Sequence, residues 1–262
     1  MTIAGSDSGG GAGIQADLKT FAAMGVYGTS AITAVTAQNT RGVTDALDLP
    51  TSLIRSQIDA IVSDIGTDAV KTGMLSSSEI IEAVTGKIVE HGLTTLVVDP
   101  VMVAKSGDRL LQVQAVEVLR TLLVPLATVV TPNAPEAEVL TGRRVASVDD
   151  ARRAARALVE ELGAGSAVVK GGHLEGPATD VLYQAGEFIE FTRPRLETKN
   201  THGTGCTFAS ATAAGLAKGM SVAEAVGAAK EYVTAAISAA FPMGGGHGPL
   251  NHFYRLWGEP EA

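Results

Sequence analysis

An α/β fold, with a mostly parallel sheet covered by helices, is predicted by three features of the sequence. Short β-branched runs alternate with amphipathic, alanine-rich segments from end to end. Nearly every unusual residue falls where a strand run ends: Gly5-Ser6-Asp7, Gln38-Asn39, Gly73-Met74, Asp99-Pro100, Asn133 and Gly171-Gly172. Hydrophobic residues make up 45% of the 262 positions and charged residues 18%, which supplies one large core and excludes disorder, collagen and coiled coil.

A first strand is read over 2–4; its shortness at the edge of the chain gives the expectation that a few residues upstream are missing. The apolar spacing of Ile14, Leu18 and Phe21 predicts a helix over 14–24, and the Thr, Ile and Val run over 29–37 predicts a strand. Helix 52–63 rests on Ile54, Ile58 and Ile61, strand 69–72 on Val70 and Thr72, and helix 77–91 on Ile80, Ile81, Val84 and Ile88. Strands over 94–99, 128–131 and 166–170 each hold a Val-Val pair, and helices over 112–122 and 149–162 alternate with them. Runs 180–183 and 187–191 flank Gln184-Ala185-Gly186, so a hairpin interrupts the βα rhythm. Alanine-rich helices over 204–218 and 222–240 follow. No linker, composition step, internal repeat or low-complexity tract divides residues 1–262, which are read as one domain.

Acidic side chains outnumber basic ones, 28 to 20, a formal net charge of -8 that argues against a general grip on nucleic acid or anionic membranes and leaves room for a local anion site. One cysteine can form no intramolecular disulfide, and no His/Cys cluster offers structural zinc, so a reducing cytoplasm is the expected home. Residues 1–13 lack the marks of a secretory signal, and no apolar window of about eighteen residues is present to span a bilayer. A soluble protein is expected. Thirty glycines stand against one Trp, four Tyr and six Phe, and where they cluster the backbone is expected to approach something closely.

Two glycine clusters follow strands and precede helices. Gly9-Gly10-Gly11-Ala12-Gly13 offers amides beside a helix start, although a tight turn without a ligand explains it equally well. It is neither a GxxxxGK[ST] loop nor the full GxGxxG fingerprint, which disfavours dinucleotide chemistry. Asn200-Thr201-His202-Gly203-Thr204-Gly205-Cys206-Thr207 is more specific: the amides of Gly203 to Cys206 would converge at the positive end of a helix dipole, an anion hole for a phosphoryl group in flight. The plain alternative for Cys206 is a small buried hydrophobe. Lys170, ending a strand before Gly171-Gly172, is placed to reach phosphate oxygens, the alternative being a solvated strand end. Asn133 and Glu136, three apart, share one side of the next helical turn and suit magnesium and its waters, unless Glu136 is only a helix-start dipole partner.

Taken together, GSDSGGGAGIQADLKTF at 5–21, TAVTAQNTRGV at 33–43, KTGML at 71–75, VVDPVMVAKSGD at 97–108, TPNAPEAEVL at 131–140, VKGGHLEG at 169–176 and NTHGTGCT at 200–207 closely resemble the bacterial hydroxymethylpyrimidine/phosphomethylpyrimidine kinases of thiamine biosynthesis. The resemblance covers essentially the whole chain. It implies the ribokinase-like fold, a three-layer α/β/α sandwich, and ATP-dependent phosphorylation of 4-amino-5-hydroxymethyl-2-methylpyrimidine and then of its monophosphate, with Mg2+. It implies that Gln38 reads the aminopyrimidine, with Gly5, Asp17, Met74 and Val101 around the same pocket. An amide side chain carries the donor and the acceptor that such a ring edge presents. Lys170 matches the phosphate-contacting lysine, Asn133 and Glu136 the NxxE magnesium motif, Asp99 an acid near the metal, and Thr201, Gly203, Thr204, Gly205 and Cys206 the phosphate-binding and catalytic segment. Sugar kinases of the superfamily resemble GxGD there; this chain carries Cys206 in place of the Asp. A homodimer is favoured by the resemblance and permitted by mixed apolar residues over 29–49. Two other readings are a pyridoxal kinase of the same superfamily, some of which also carry the cysteine, and a non-catalytic vitamin-binding protein, which an intact phosphate machinery argues against.

Overall fold

The computed structural model describes residues 1–103, 107 and 110–256. Residues 104–106 and 108 of the quoted segment 97–108 therefore lie outside the described residues. The elements are β1 (Thr2–Asp7), α1 (Gly13–Ala23), β2 (Ser30–Gln38), β3 (Val43–Asp48), α2 (Thr51–Asp64), β4 (Val70–Thr72), α3 (Ser78–Glu90), β5 (Leu96–Val98), α4 (Ala115–Val118), β6 (Val129–Val130), α5 (Ala134–Thr141), α6 (Val148–Glu160), β7 (Ser166–Val169), β8 (Ala178–Gln184), β9 (Glu187–Arg193), α7 (Thr204–Ala217) and α8 (Val222–Ser238). Among the described residues the strands form one sheet in the order β3-β2-β1-β4-β5-β6-β7-β8-β9. The six from β2 to β7 pair in parallel, while β3 at one edge and β8 and β9 at the other are antiparallel.

The three layers follow from the period-two alternation of strand side chains. Val97, Val129 and Val168 face one way and pack with Phe21 of α1, Phe208 of α7 and Val226 of α8. Their neighbours Leu96, Val98, Val130 and Val169 face the other way, onto Ile54 and Ile58 of α2, Ile80 of α3, Leu140 of α5 and Leu158 of α6. Strands apolar on both faces are what a sheet buried between helices requires. Helix starts are set by capping: Ser77 accepts from the Ile80 amide at α3, Ser147 from the Asp150 amide at α6, and Ser221 and Glu224 form a reciprocal box at α8.

The structure departs from the sequence reading in four places. β1 runs on to Asp7, because Ser6 and Asp7 pair with Val35 and Thr36 beyond an irregularity after Ala4. β3 is an additional strand, a mostly exposed edge whose acidic residues hide its pattern. The helix over 112–122 begins later, at Ala115, widens into a π turn (Leu119–Leu123) and then tightens into a 3-10 turn (Val124–Leu126), where Pro125 has no amide to donate. The helical turn after Asn133 extends to Thr141, where Gly142 ends it in the left-handed conformation. The carboxyl ends of β1 and β4 to β7 open on one side of the sheet. Among the described residues no helix is long and apolar enough to cross a membrane.

Candidate active site

A cleft of about 610 Å³ runs along those strand ends. Gly5, Gln38, Met74, Asp99, Val101, Asn133, Glu136, Lys170, Thr201, Gly203, Thr204, Gly205 and Cys206 all line it. Asp17 does not, which corrects the pocket position expected of it. Its side chain is fully buried on α1, where the carboxylate accepts from the Thr2 and Ser210 hydroxyls at 2.6 Å each and from Lys71 Nζ. A polar residue on an amphipathic helix does not announce in sequence which side packs against the sheet.

At one end, Gln38 closes β2 over an apolar floor. A Cβ on Gly5 would lie 2.6 Å from Met74 Cε, so glycine there lets Met74 lie against the β1 backbone. Val101, Met102 and Leu110 continue the apolar wall. The Gln38 backbone is tied to the loop after β1: its amide donates to Ser8 Oγ at 2.8 Å, and that hydroxyl donates to Gln38 O at 2.7 Å.

That loop is organised by Asp7. Oδ1 accepts from the Gly9 amide at 2.8 Å; Oδ2 accepts from the amides of Gly11 at 3.0 Å and Ala12 at 2.8 Å, and lies 2.8 Å from His202 Nε2. Burial alone would raise this carboxyl, but the donors from His202, Ala12 and Gly9 outweigh it and hold Asp7 below the usual carboxylate value. Asp7 is thus ionised near neutrality, and His202 is the donor.

At the other end, Gly203 is the N-cap of α7 at φ 81°, and a side chain there would collide with the Gly11 carbonyl. The first intrahelical donor is Thr207 N to Gly203 O, so the amides of Gly205 and Cys206 precede it, at the positive end of the dipole. Lys170 Nζ reaches this spot: a Cβ on Gly205 would sit 3.3 Å from it and 3.8 Å from Asp99 Oδ2. Lys170 also pairs with Asp99 Oδ1 at 3.2 Å. Burial pulls its pKa down, but the charges of Asp99 and Glu136 outweigh burial and keep the ammonium protonated.

Asn133 and Glu136 form a reciprocal capping box: Asn133 N donates to Glu136 Oε2 at 2.8 Å, and Glu136 N to Asn133 Oδ1 at 2.9 Å. Burial raises the Glu136 carboxyl to about 7, with Lys170 pulling down and Asp99 pushing up. Asp99 Oδ2 is buried with no hydrogen-bond partner. Cys206 keeps partial exposure, and burial pushes its thiol up to about 12, Lys71 opposing and Asp17 and Asp99 adding to the rise.

Three functional-looking residues near the Lys170 end of the cleft escaped the sequence reading. Asp180 accepts from the Gly171 amide at 2.8 Å and from Lys230 Nζ at 2.9 Å, which fixes the backbone just after Lys170. Arg195 donates to the carbonyls of Gly172 at 2.8 Å and Gly176 at 3.0 Å, and to Leu174 O, holding the loop on which His173 lines the cleft. These residues come from a hairpin, the chain after it and a distant helix, and no local motif joins them.

The chain matches the family model described as phosphomethylpyrimidine kinase over residues 7–251. It is 56% identical to the hydroxymethylpyrimidine/phosphomethylpyrimidine kinase of Streptomyces coelicolor, covering 98% of this chain and 94% of that one. It is 54% identical to the thiamine biosynthesis bifunctional protein of Geobacter sulfurreducens over 96% of this chain, yet spans only 51% of that longer protein. Among solved structures, the ADP complex of Bacillus subtilis pyridoxal kinase superposes with a TM-score of 0.90 at 45% identity, covering 97% of each chain. By the extent of the family match and this level of identity, the chain belongs to the phosphomethylpyrimidine kinase family.

Proposed function

We propose that this protein transfers the terminal phosphoryl group of ATP to the hydroxymethyl group of 4-amino-5-hydroxymethyl-2-methylpyrimidine, and then to the resulting monophosphate, giving the diphosphate for thiamine biosynthesis. One observation carries the reading: a single cleft joins Gln38 and its apolar floor to Lys170 standing over the amides at the start of α7. Gln38 offers the ring edge one donor and one acceptor, and Gly5, Met74 and Val101 flank the ring. The Gly205 and Cys206 amides, the dipole of α7 and Lys170 stabilise the charge on the phosphoryl oxygens during transfer. Cys206 enters the reaction holding its proton at Sγ. A loose transition state needs little early deprotonation of the acceptor, so alignment and the anion hole supply most of the acceleration.

Magnesium fits the residues present. It favours one or two carboxylates together with phosphate oxygens and water, and the buried, unpartnered Asp99 Oδ2 lies at the Lys170 end of the cleft with Glu136 close enough to feel its charge. Asp99 and Glu136 would hold the ion, which neutralises phosphate charge when bound. Use of ATP is supported by the ADP complex of the Bacillus subtilis relative. The exposed Val35 and Leu47 on the β2–β3 ribbon support a homodimer, to be checked by sedimentation equilibrium. The lone cysteine suits a reducing cytoplasm.

Pyridoxal is the second acceptor worth testing, on the 45% identity to a pyridoxal kinase, against 56% to the pyrimidine kinase. Incubation with ATP, magnesium and either ring, followed by mass analysis, decides between them. Gln38→Leu is expected to weaken pyrimidine binding by about 1–3 kcal/mol, because it strands polar groups on the ring, while ATP binding holds. Unchanged pyrimidine kinetics would remove Gln38 from the acceptor pocket.

A further inference from the structure

His202 and Asp7 meet in a buried contact, 7% and 2% exposed, that joins the segment leading into α7 to the loop after β1. Each partner leads to a different end of the cleft. From Asp7 the chain passes to Ser8, which holds the Gln38 backbone at both its amide and its carbonyl. From His202 the chain passes to Gly203 and the anion hole, while the His202 amide donates to Gly248 O at 3.0 Å. The loop bearing Gly248 then returns to the turn after Gln38: His247 N donates to Thr40 O at 2.8 Å, and Gly246 N to Thr40 Oγ1 at 3.2 Å. The contacts close a ring through Gln38, Thr40, Gly248, His202, Asp7 and Ser8. Within that ring the His202–Asp7 bond is the link between side chains far apart in sequence, and it sits directly beside the collision-tight approach of Gly203 to Gly11.

We propose that His202 is a positioning residue whose Nε2–H bond to Asp7 sets the separation between Gln38 and the anion hole, so that a bound acceptor hydroxyl lies in line with the phosphoryl group. This rests on reading Gln38 and the Gly203–Cys206 segment as the two ends of the reaction. Misplacement by about 1 Å costs on the order of 100-fold in rate. ADP lacks the terminal phosphoryl group that the anion hole receives, so its affinity is expected to stay independent of the alignment that the ring sets.

The test uses the full chain with the pyrimidine and ATP, and ADP affinity measured by calorimetry. His202→Gln keeps an N–H donor near the former Nε2 position; His202→Leu keeps bulk without a donor; His202→Asn carries a donor that is too short to reach. The leucine and asparagine variants are expected to lose about 100-fold in kcat, with ADP affinity within about twofold of the parent, and His202→Gln to recover to within about tenfold. Parental kcat in His202→Leu, a glutamine variant as slow as leucine, or a loss of ADP affinity matching the loss of kcat would each overturn the proposal. Should the leucine variant not fold, the ranking of glutamine over asparagine decides alone. Gln38→Leu assayed in parallel separates the two readings: unchanged kinetics there sinks the acceptor site, whereas the His202 ranking stands or falls by itself.

Discussion

The Lys71 ammonium lies 3.0 Å from both carboxylate oxygens of Asp17, and both side chains are wholly buried. Burial works against the charge on Lys71, but Asp17 outweighs it and holds the lysine above its ordinary pKa. Removing one partner leaves the other charged in the core. Lys71→Met is therefore expected to lose about 3–5 kcal/mol in urea unfolding, whereas the double variant Asp17→Asn, Lys71→Met regains most of it. A single variant as stable as the parent would show that the pair carries no charge.

Cys206 is the only cysteine in the chain, which makes its ionisation directly readable. With the thiol near 12, the thiolate fraction is small and rises about tenfold per pH unit. Alkylation by iodoacetamide, followed by intact mass, is expected to accelerate without a plateau from about pH 6 to pH 9; a plateau in that range would mean a stabilised thiolate. Cys206→Ala leaves the anion-hole amides in place and is expected to cost no more than about 100-fold in kcat, the lower end of what proton transfer contributes. A larger loss would give the sulfur a direct part in moving the proton.

Lys170→Met removes the cation beside the Gly205 amide. The loss is expected mainly in kcat, by about 10²–10³-fold, with a smaller rise in KM for ATP, because charge on the phosphoryl oxygens shifts during transfer. Steady-state kinetics that show only weaker ATP binding would make Lys170 a ground-state contact.

His252 is 4% exposed, its Nε2 lies 3.0 Å from Thr207 Oγ1, and burial, with the charge of Lys19 adding to it, lowers its pKa from 6.5 to about 4. The folded chain keeps the ring neutral while the unfolded chain takes up a proton below about pH 6.5. Stability is therefore full above that pH and falls progressively as the pH drops toward 4, by up to about 3 kcal/mol. Urea midpoints at several pH values in the parent and in His252→Gln check this; an equally steep fall in the variant assigns the loss to another group.

The parallel strands were legible because burial on both faces leaves Val-Val pairs at 97–98, 129–130 and 168–169. Lys170, Asp99 and the α7 start were legible because strand ends and helix starts carry local chemistry. β3 was not, since an edge strand with one ladder partner tolerates acids at Asp45 and Asp48. Nor were the Asp17–Lys71 and Asp180–Lys230 pairs, whose members come together only through packing across 54 and 50 residues of chain. The Asn133/Glu136 spacing had two readings, magnesium binding and a helix-start dipole partner; the reciprocal capping box that ties the two residues together was in neither.

The approach of Gly203 to the Gly11 carbonyl has an evolutionary consequence. A side chain at position 203 requires the carbonyl at 11 to retreat, and that backbone is held by Asp7, which also holds His202. Substitution at 203 is thereby coupled to the loop after β1: a side chain there is accommodated only if the Gly11 backbone shifts with it. A redesign of the phosphate chemistry that puts a side chain at position 203 therefore has to remodel the 8–12 loop in the same step.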